Sequence, residues 1–320
     1  MIYSGKSLRK RFVSGRYTLV FLLGGATLLW LAGTLTGLSA AVVRPILLAN
    51  YAWMDSVVSL LLFAGAALVL NSFVIIEGRN SWLGGLVVWL AGLFCNVQEV
   101  SVSLSTLLLM LLLTVLFNCY PRDGVQRWLY AAFALLGFCS LLQPQLLYLI
   151  PLFFVYISLV SELNIRSVAA SLLGLATPFW LLWVMVYVFP QSSVIANPLL
   201  SGLERMSQFE FLLPVLSDII LLSAEVLVML PAVVVFAGSA SPAKPLMRKV
   251  FSFFMIMNFY LWVLSWLRGG DFDMLLAWRL PGTALMMGYL FTVGKNKLSN
   301  IYFVFINIIW IIVALLGIWR

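Results

Sequence analysis

Nineteen Lys+Arg and eleven Asp+Glu are all the formal charge in 320 residues, and a few of them stand inside almost purely apolar sequence. Glu225 lies near the middle of an apolar run at 213–237. Asp218 precedes it by seven residues, which on a helix is two turns away on the same face. Arg279 stands seven residues into a run at 272–293, just ahead of the helix-perturbing Pro281. Ionisable groups at membrane depth cost on the order of 2.5–3.5 kcal/mol on insertion scales, so Asp218, Glu225 and Arg279 each carry a functional hypothesis. Two chemistries suit them: an ion pair holding helices in register, or a proton relay. Glu225 and Arg279 are expected to pair inside a bundle, where removing one partner of a dry pair costs about 3–5 kcal/mol.

A second group gathers at the ends of apolar runs: Arg44, Asp55, Glu99, Arg268, Asp271 and Asp273. Its densest stretch is Arg268-Gly-Gly-Asp271-Phe-Asp273, whose glycines permit a tight turn that would bring two carboxylates together. Such carboxylates can serve as acid and base towards a sugar or phosphate, or hold a divalent cation. In an enzyme, Asp55, Asp271 or Asp273 would be the catalytic base, with Arg44, Arg268 or Arg279 binding an anionic substrate. The plainer reading is that these loops collect acids because basic residues are kept on the opposite side.

Other chemistry is excluded by residue type. The chain has no histidine, which removes Ser-His-Asp and Cys-His nucleophiles, histidine-ligated haem and the usual zinc and non-haem iron sites. Gly5-Lys6-Ser7 resembles the end of a phosphate-binding loop, but that motif needs a Gly five positions before Gly5. Cys95, Cys119 and Cys139 are odd in number and lack metal-ligand spacing. No resident metal or cofactor is expected.

The elements that must position these residues follow from composition. Hydrophobic residues make up 63% of the chain and charged ones 9%, too little polar surface to coat a water-soluble domain. Apolar runs of about 20 residues span hydrocarbon as helices, since the backbone must satisfy itself there. Eleven runs are read as spans: 17–40, 52–76, 82–98, 100–118, 128–143, 145–161, 167–189, 213–237, 250–267, 272–293 and 299–318. Only Gln98-Glu99 separates the third from the fourth, and Gln143-Pro144 the fifth from the sixth, so re-entrant pairs there would lower the count towards nine. The expected fold is all-α, a polytopic transmembrane bundle forming one integral membrane domain over 1–320. Its longest interruption, 190–212, is an outer loop in which Asn197-Pro198 starts a short helix. Leu199, Leu200, Leu203 and Met206 face one side and Ser201, Glu204, Arg205 and Ser207 the other, which predicts an interfacial amphipathic helix.

Charge sets the orientation. With the amino terminus cytoplasmic, fourteen of the nineteen Lys+Arg fall inside and every cytoplasmic loop holds at least one. Arg44, Arg205, Arg268, Arg279 and Arg320 fall on the other side, together with seven of the eleven acids. The net charge of +8 is thus a topology signal of a multi-pass inner-membrane protein. No nucleic-acid partner is expected, because the basic residues are divided among short loops. The first apolar run, about 24 residues, exceeds the 7–15 of a signal-peptide core and reads as an uncleaved helix.

At Leu70-Asn71-Ser72 through Asn80-Ser81-Trp82, at Pro144-Gln-Leu-Leu-Tyr-Leu-Ile-Pro151 and at Leu173-Gly-Leu-Ala-Thr-Pro-Phe179, the chain resembles a family of polytopic inner-membrane proteins from Bacteroidota that has no assigned activity. The likeness covers roughly residues 60–185 and implies a helical membrane bundle. Some members carry the name of carotene-cleaving monooxygenases; an iron site of that kind uses histidines, so the name does not transfer to this sequence. The plan of acids and arginines on the outer side is also similar to membrane glycosyltransferases that use polyprenyl-phosphate sugars. Those carry acids in the first outer loop, where this chain offers Arg44 and only Asp55 at the far end.

Enzyme and non-enzyme readings both stay open at this point. The first is a non-enzymatic lipid-handling, scaffold or channel subunit of the cell envelope, with the lipid bilayer and other envelope membrane proteins as partners. The second is a glycosyltransferase-like enzyme acting on lipid-linked substrate at the outer face. The third is a proton-coupled carrier using Glu225 and Asp218.

Overall fold

A computed structural model describes residues 18–35, 52–73, 82–93, 100–117, 125–160, 164–189, 199–204, 206, 216–238, 245–268, 271–293, 301–302 and 304–309. Among these residues the secondary structure is helical almost throughout, with no strand. The helices are α1 (Thr18–Leu35), α2 (Ala52–Phe73), α3 (Trp82–Leu93), α4 (Val100–Phe117), α5 (Val125–Leu142), α6 (Ile150–Val160), α7 (Ile165–Val188), α8 (Leu216–Gly238), α9 (Pro245–Leu267) and α10 (Phe272–Val293). A 3-10 helix, Pro144–Leu149, joins α5 to α6.

Four described helices are long and apolar enough to cross a membrane: Val100–Phe117, Val125–Leu142, Ile165–Val188 and Arg248–Leu267. At 1.5 Å per residue, 18 residues cover about 27 Å, close to the hydrocarbon thickness. The expected break at Gln143-Pro144 is present, and its form is specific. Pro144 occupies the first turn of the 3-10 helix, where its missing N–H has no acceptor to serve. The Gln143 N–H closes α5 on the Cys139 carbonyl at 2.9 Å.

The chain divides into two compact units. The second, Leu108–Phe211 with Lys244–Ile256, is held by small residues and aromatics. Helices α5 and α7 pack closely along Gly137 and Gly174. Gly174 sits against the Tyr130 backbone, and a Cβ on Gly137 would come within 2.8 Å of Pro178 Cγ. Without a hydrophobic drive between helices in lipid, such close backbone approach is what binds them. The Tyr130 and Thr177 hydroxyls add a cross-helix hydrogen bond of 2.9 Å. Phe117, Tyr156, Phe253 and Phe254 form a buried aromatic cluster with centroids 5.1–6.1 Å apart, edge-to-face except for the tilted Phe117–Tyr156 pair. The amphipathic segment is helical at 199–204, with Leu199 buried and Leu200, Ser201 and Glu204 exposed. Its Gly202 rests on Pro144, where a Cβ would meet Cγ at 2.5 Å. Gly202 takes the position against Pro144 because only a residue without a side chain fits over the proline ring.

The first unit is Met1–Leu107, Leu212–Ala243 and Met257–Arg320. Here α3 packs against α1, α2 and α10, and α10 also packs against α8. Every residue from 274 to 291 in α10 is buried. A helix enclosed on all sides is the core of its bundle rather than a lipid-facing stave. It is also the helix that carries Arg279 and Pro281.

Candidate functional site

The site grows outward from α10. Arg279 Nη1 lies 2.7 Å from Glu225 Oε2 of α8, and both side chains are 1% exposed. Arg279 Nε donates to the Leu275 carbonyl one turn back at 3.3 Å, which folds the guanidinium along its own helix. Beyond this ion pair, neither carboxylate oxygen of Glu225 and neither Nη1 nor Nη2 of Arg279 has a hydrogen-bond partner among the described residues. Two unlike charges removed from water are tolerable only at close range, and at 2.7 Å this pair is in direct contact.

Pro281 follows Arg279 by two residues. It withholds the N–H that the Ala277 carbonyl would meet and weakens the ladder around it. The neighbouring helix braces the rung that spans the proline, from Arg279 to Thr283. Asn258 of α9 lays its carboxamide across this stretch: Nδ2 donates to the Arg279 carbonyl at 3.2 Å and Oδ1 accepts from the Thr283 N–H at 3.1 Å. The Thr283 hydroxyl also donates to the Arg279 carbonyl, at 3.1 Å. Gly282 makes room, since a Cβ there would lie 2.5–2.8 Å from the carboxamide atoms. Asn258 and Thr283 are themselves buried.

A third tie runs from the residue before the arginine. The Trp278 indole N–H donates to Ser105 Oγ of α4 at 3.0 Å, and Ser105 in turn donates to the Val102 carbonyl at 2.7 Å. Within two turns, α10 is thus joined by polar contacts to α4, α8 and α9. This geometry can fix helix register in a medium where unsatisfied polar groups cost several kcal/mol each.

The other anticipated residues fall elsewhere. Arg268 and Asp271 are half-buried, and the Asp271 N–H donates to the Arg268 carbonyl at 3.1 Å; Gly269 and Gly270 of the expected turn lie outside the described residues. Asp273 is exposed in the first turn of α10, where a negative charge suits the helix dipole. Arg279 is eight residues beyond Asp271, about 12 Å along the helix axis, and its guanidinium is engaged by Glu225. The structure therefore brings Arg279 to Glu225 and not to the Asp271–Asp273 turn. Asp55 and Asp218 belong to α2 and α8. Arg44 lies outside the described residues, as do Glu99 and Arg205. No group of three or more His, Cys, Asp or Glu placed to hold a metal occurs among the described residues.

Asn258, Thr283, Ser105 and Trp278 were not anticipated. Asn258 did have a signal: it is the one amide side chain in the apolar run 250–267, and an amide in hydrocarbon requires a partner. No family model, no curated protein and no solved structure matches this chain.

Proposed function

We propose that this chain is a multi-pass inner-membrane protein of about eleven spans with a cytoplasmic amino terminus, acting as a non-enzymatic lipid-handling or scaffold subunit of the cell envelope. In this reading Glu225 and Arg279 are architecture. The observation that carries it is the sealed ion pair on an enclosed helix: each charge is neutralised by the other, at 1% exposure. A glycosyltransferase-like site would need Arg279 turned to an outer phosphate, and a proton carrier would need solvent at Glu225. Neither requirement suits this geometry.

The test removes the charge and keeps the volume. Glu225→Gln and Arg279→Gln singly each leave a buried charge, and each is expected to lose about 3–5 kcal/mol of stability. The double variant Glu225→Leu with Arg279→Met is expected to recover most of that loss and to complement deletion of the chain. A double variant that is stable yet fails to complement would reject the architectural reading in favour of charge chemistry. Reporter fusions after Arg127 and Lys249 check the orientation, and both are expected inside.

A further inference from the structure

We propose that Asn258 is the positioning residue of the Glu225–Arg279 pair: a latch that holds α10 at Pro281 so that Arg279 meets Glu225. The inference rests on the reading of that pair as the architecture of the bundle.

Three observations converge on it. Pro281 interrupts the ladder of α10 within two residues of Arg279, so the backbone carrying the guanidinium is not held by its own helix alone. The two groups that Asn258 takes are the carbonyl of Arg279 itself and the N–H of Thr283, one on each side of the proline. Gly282 is the residue over which the amide lies, and any Cβ there would push it off. The guanidinium has little freedom of its own, because Nε is tied to the Leu275 carbonyl. Its position relative to Glu225 therefore follows the backbone at Arg279, and that backbone is what the amide holds. Asn258 acts through Arg279, on the shape of α10.

The experiment uses the full-length protein in lipid nanodiscs and a hydrophobic carbodiimide, dicyclohexylcarbodiimide, which adds to protonated carboxyls in apolar surroundings. The readout is the rate of adduct formation on Glu225, followed by peptide mass spectrometry. Arg279→Gln, which deletes the partner, sets the upper rate. Asn258→Ala is expected to raise labelling about tenfold over the parent, the factor carried by one lost hydrogen bond. Gly282→Ala, which displaces the amide without altering it, is expected to do the same and serves if Asn258→Ala does not fold. Pro281→Ala in the Asn258→Ala background restores the helix's own bond to the Ala277 carbonyl, firms the backbone on which Arg279 stands, and is expected to return the rate towards the parent's. Ser105→Ala, which loosens α10 through Trp278 instead, is expected to stay within about twofold of the parent, below the weight of one hydrogen bond.

Labelling of Asn258→Ala and Gly282→Ala at the parent rate, with Arg279→Gln fast, overturns the latch and leaves the pair standing. Equal acceleration in Ser105→Ala also overturns it, since any loosening of α10 would then suffice. No acceleration in Arg279→Gln overturns the pair and the latch together.

Discussion

The Tyr302 hydroxyl donates to the carbonyl of Leu227, the acceptor that Pro231 leaves without a donor in its own helix. Proline at 231 has no N–H for the carbonyl four residues earlier. A neighbouring side chain fills the gap, as a proline within an apolar helix requires. Tyr302→Phe is therefore expected to cost about 1–3 kcal/mol, the penalty for an acceptor left unpaired in an apolar setting. In a Pro231→Ala background the backbone donor returns, and the same substitution is expected to cost little. Denaturant unfolding of the four proteins in micelles measures this; equal losses in both backgrounds would reduce the contact to packing.

The Glu225–Arg279 pair was legible in the sequence because a charge inside an apolar run is costly enough to demand a partner, and few partners were on offer. The tenth apolar run, 272–293, coincides with α10 for the same kind of reason: charge and glycine bound it on both sides. The clamps were not legible. Nothing local to Asn258 points to Arg279, 21 positions away, and nothing near Pro231 points to Tyr302. A hydroxyl or amide in an apolar run announces that it needs a partner without naming one, because the partner is chosen by helix packing. The 3-10 form of Pro144–Leu149 was hidden for a related reason. Its breaking residues, Gln143 and Pro144, were visible, while the geometry after the break depends on what the following turn packs against.

The buried bond from Trp278 to Ser105 gives a second test of how polar contacts hold α10. Ser105→Ala leaves an indole N–H sealed without an acceptor and is expected to cost about 1–3 kcal/mol. Trp278→Phe removes the donor together with part of a packed ring and costs more, about 3 kcal/mol. The double variant is expected to lose less than the two losses added, by about 1 kcal/mol, because the orphaned donor is gone. Thermal unfolding of the singles and the double checks it, and strict additivity would show that the two side chains do not interact.

The glycines on α1, α5 and α7 separate close packing from open surface. At Gly174 a Cβ would run into the Tyr130 carbonyl and stand 3.1 Å from the Tyr130 Cα, and backbone cannot swing aside as a side chain does. At Gly137 it would lie 2.8 Å from Pro178 Cγ and 3.0 Å from the Leu175 carbonyl oxygen. At Gly24 nothing lies within 4 Å. Gly174→Ala and Gly137→Ala are each expected to force α5 and α7 apart at a cost of about 1–3 kcal/mol. Gly24→Ala meets no neighbour and gains the helix preference of alanine, about 0.5–1 kcal/mol. Melting temperatures of the three variants in one detergent give the comparison. If Gly174→Ala melts no lower than Gly24→Ala, α5 and α7 do not approach closely enough for a Cβ to clash, and the Tyr130–Thr177 bond, which depends on that approach, would be absent as well.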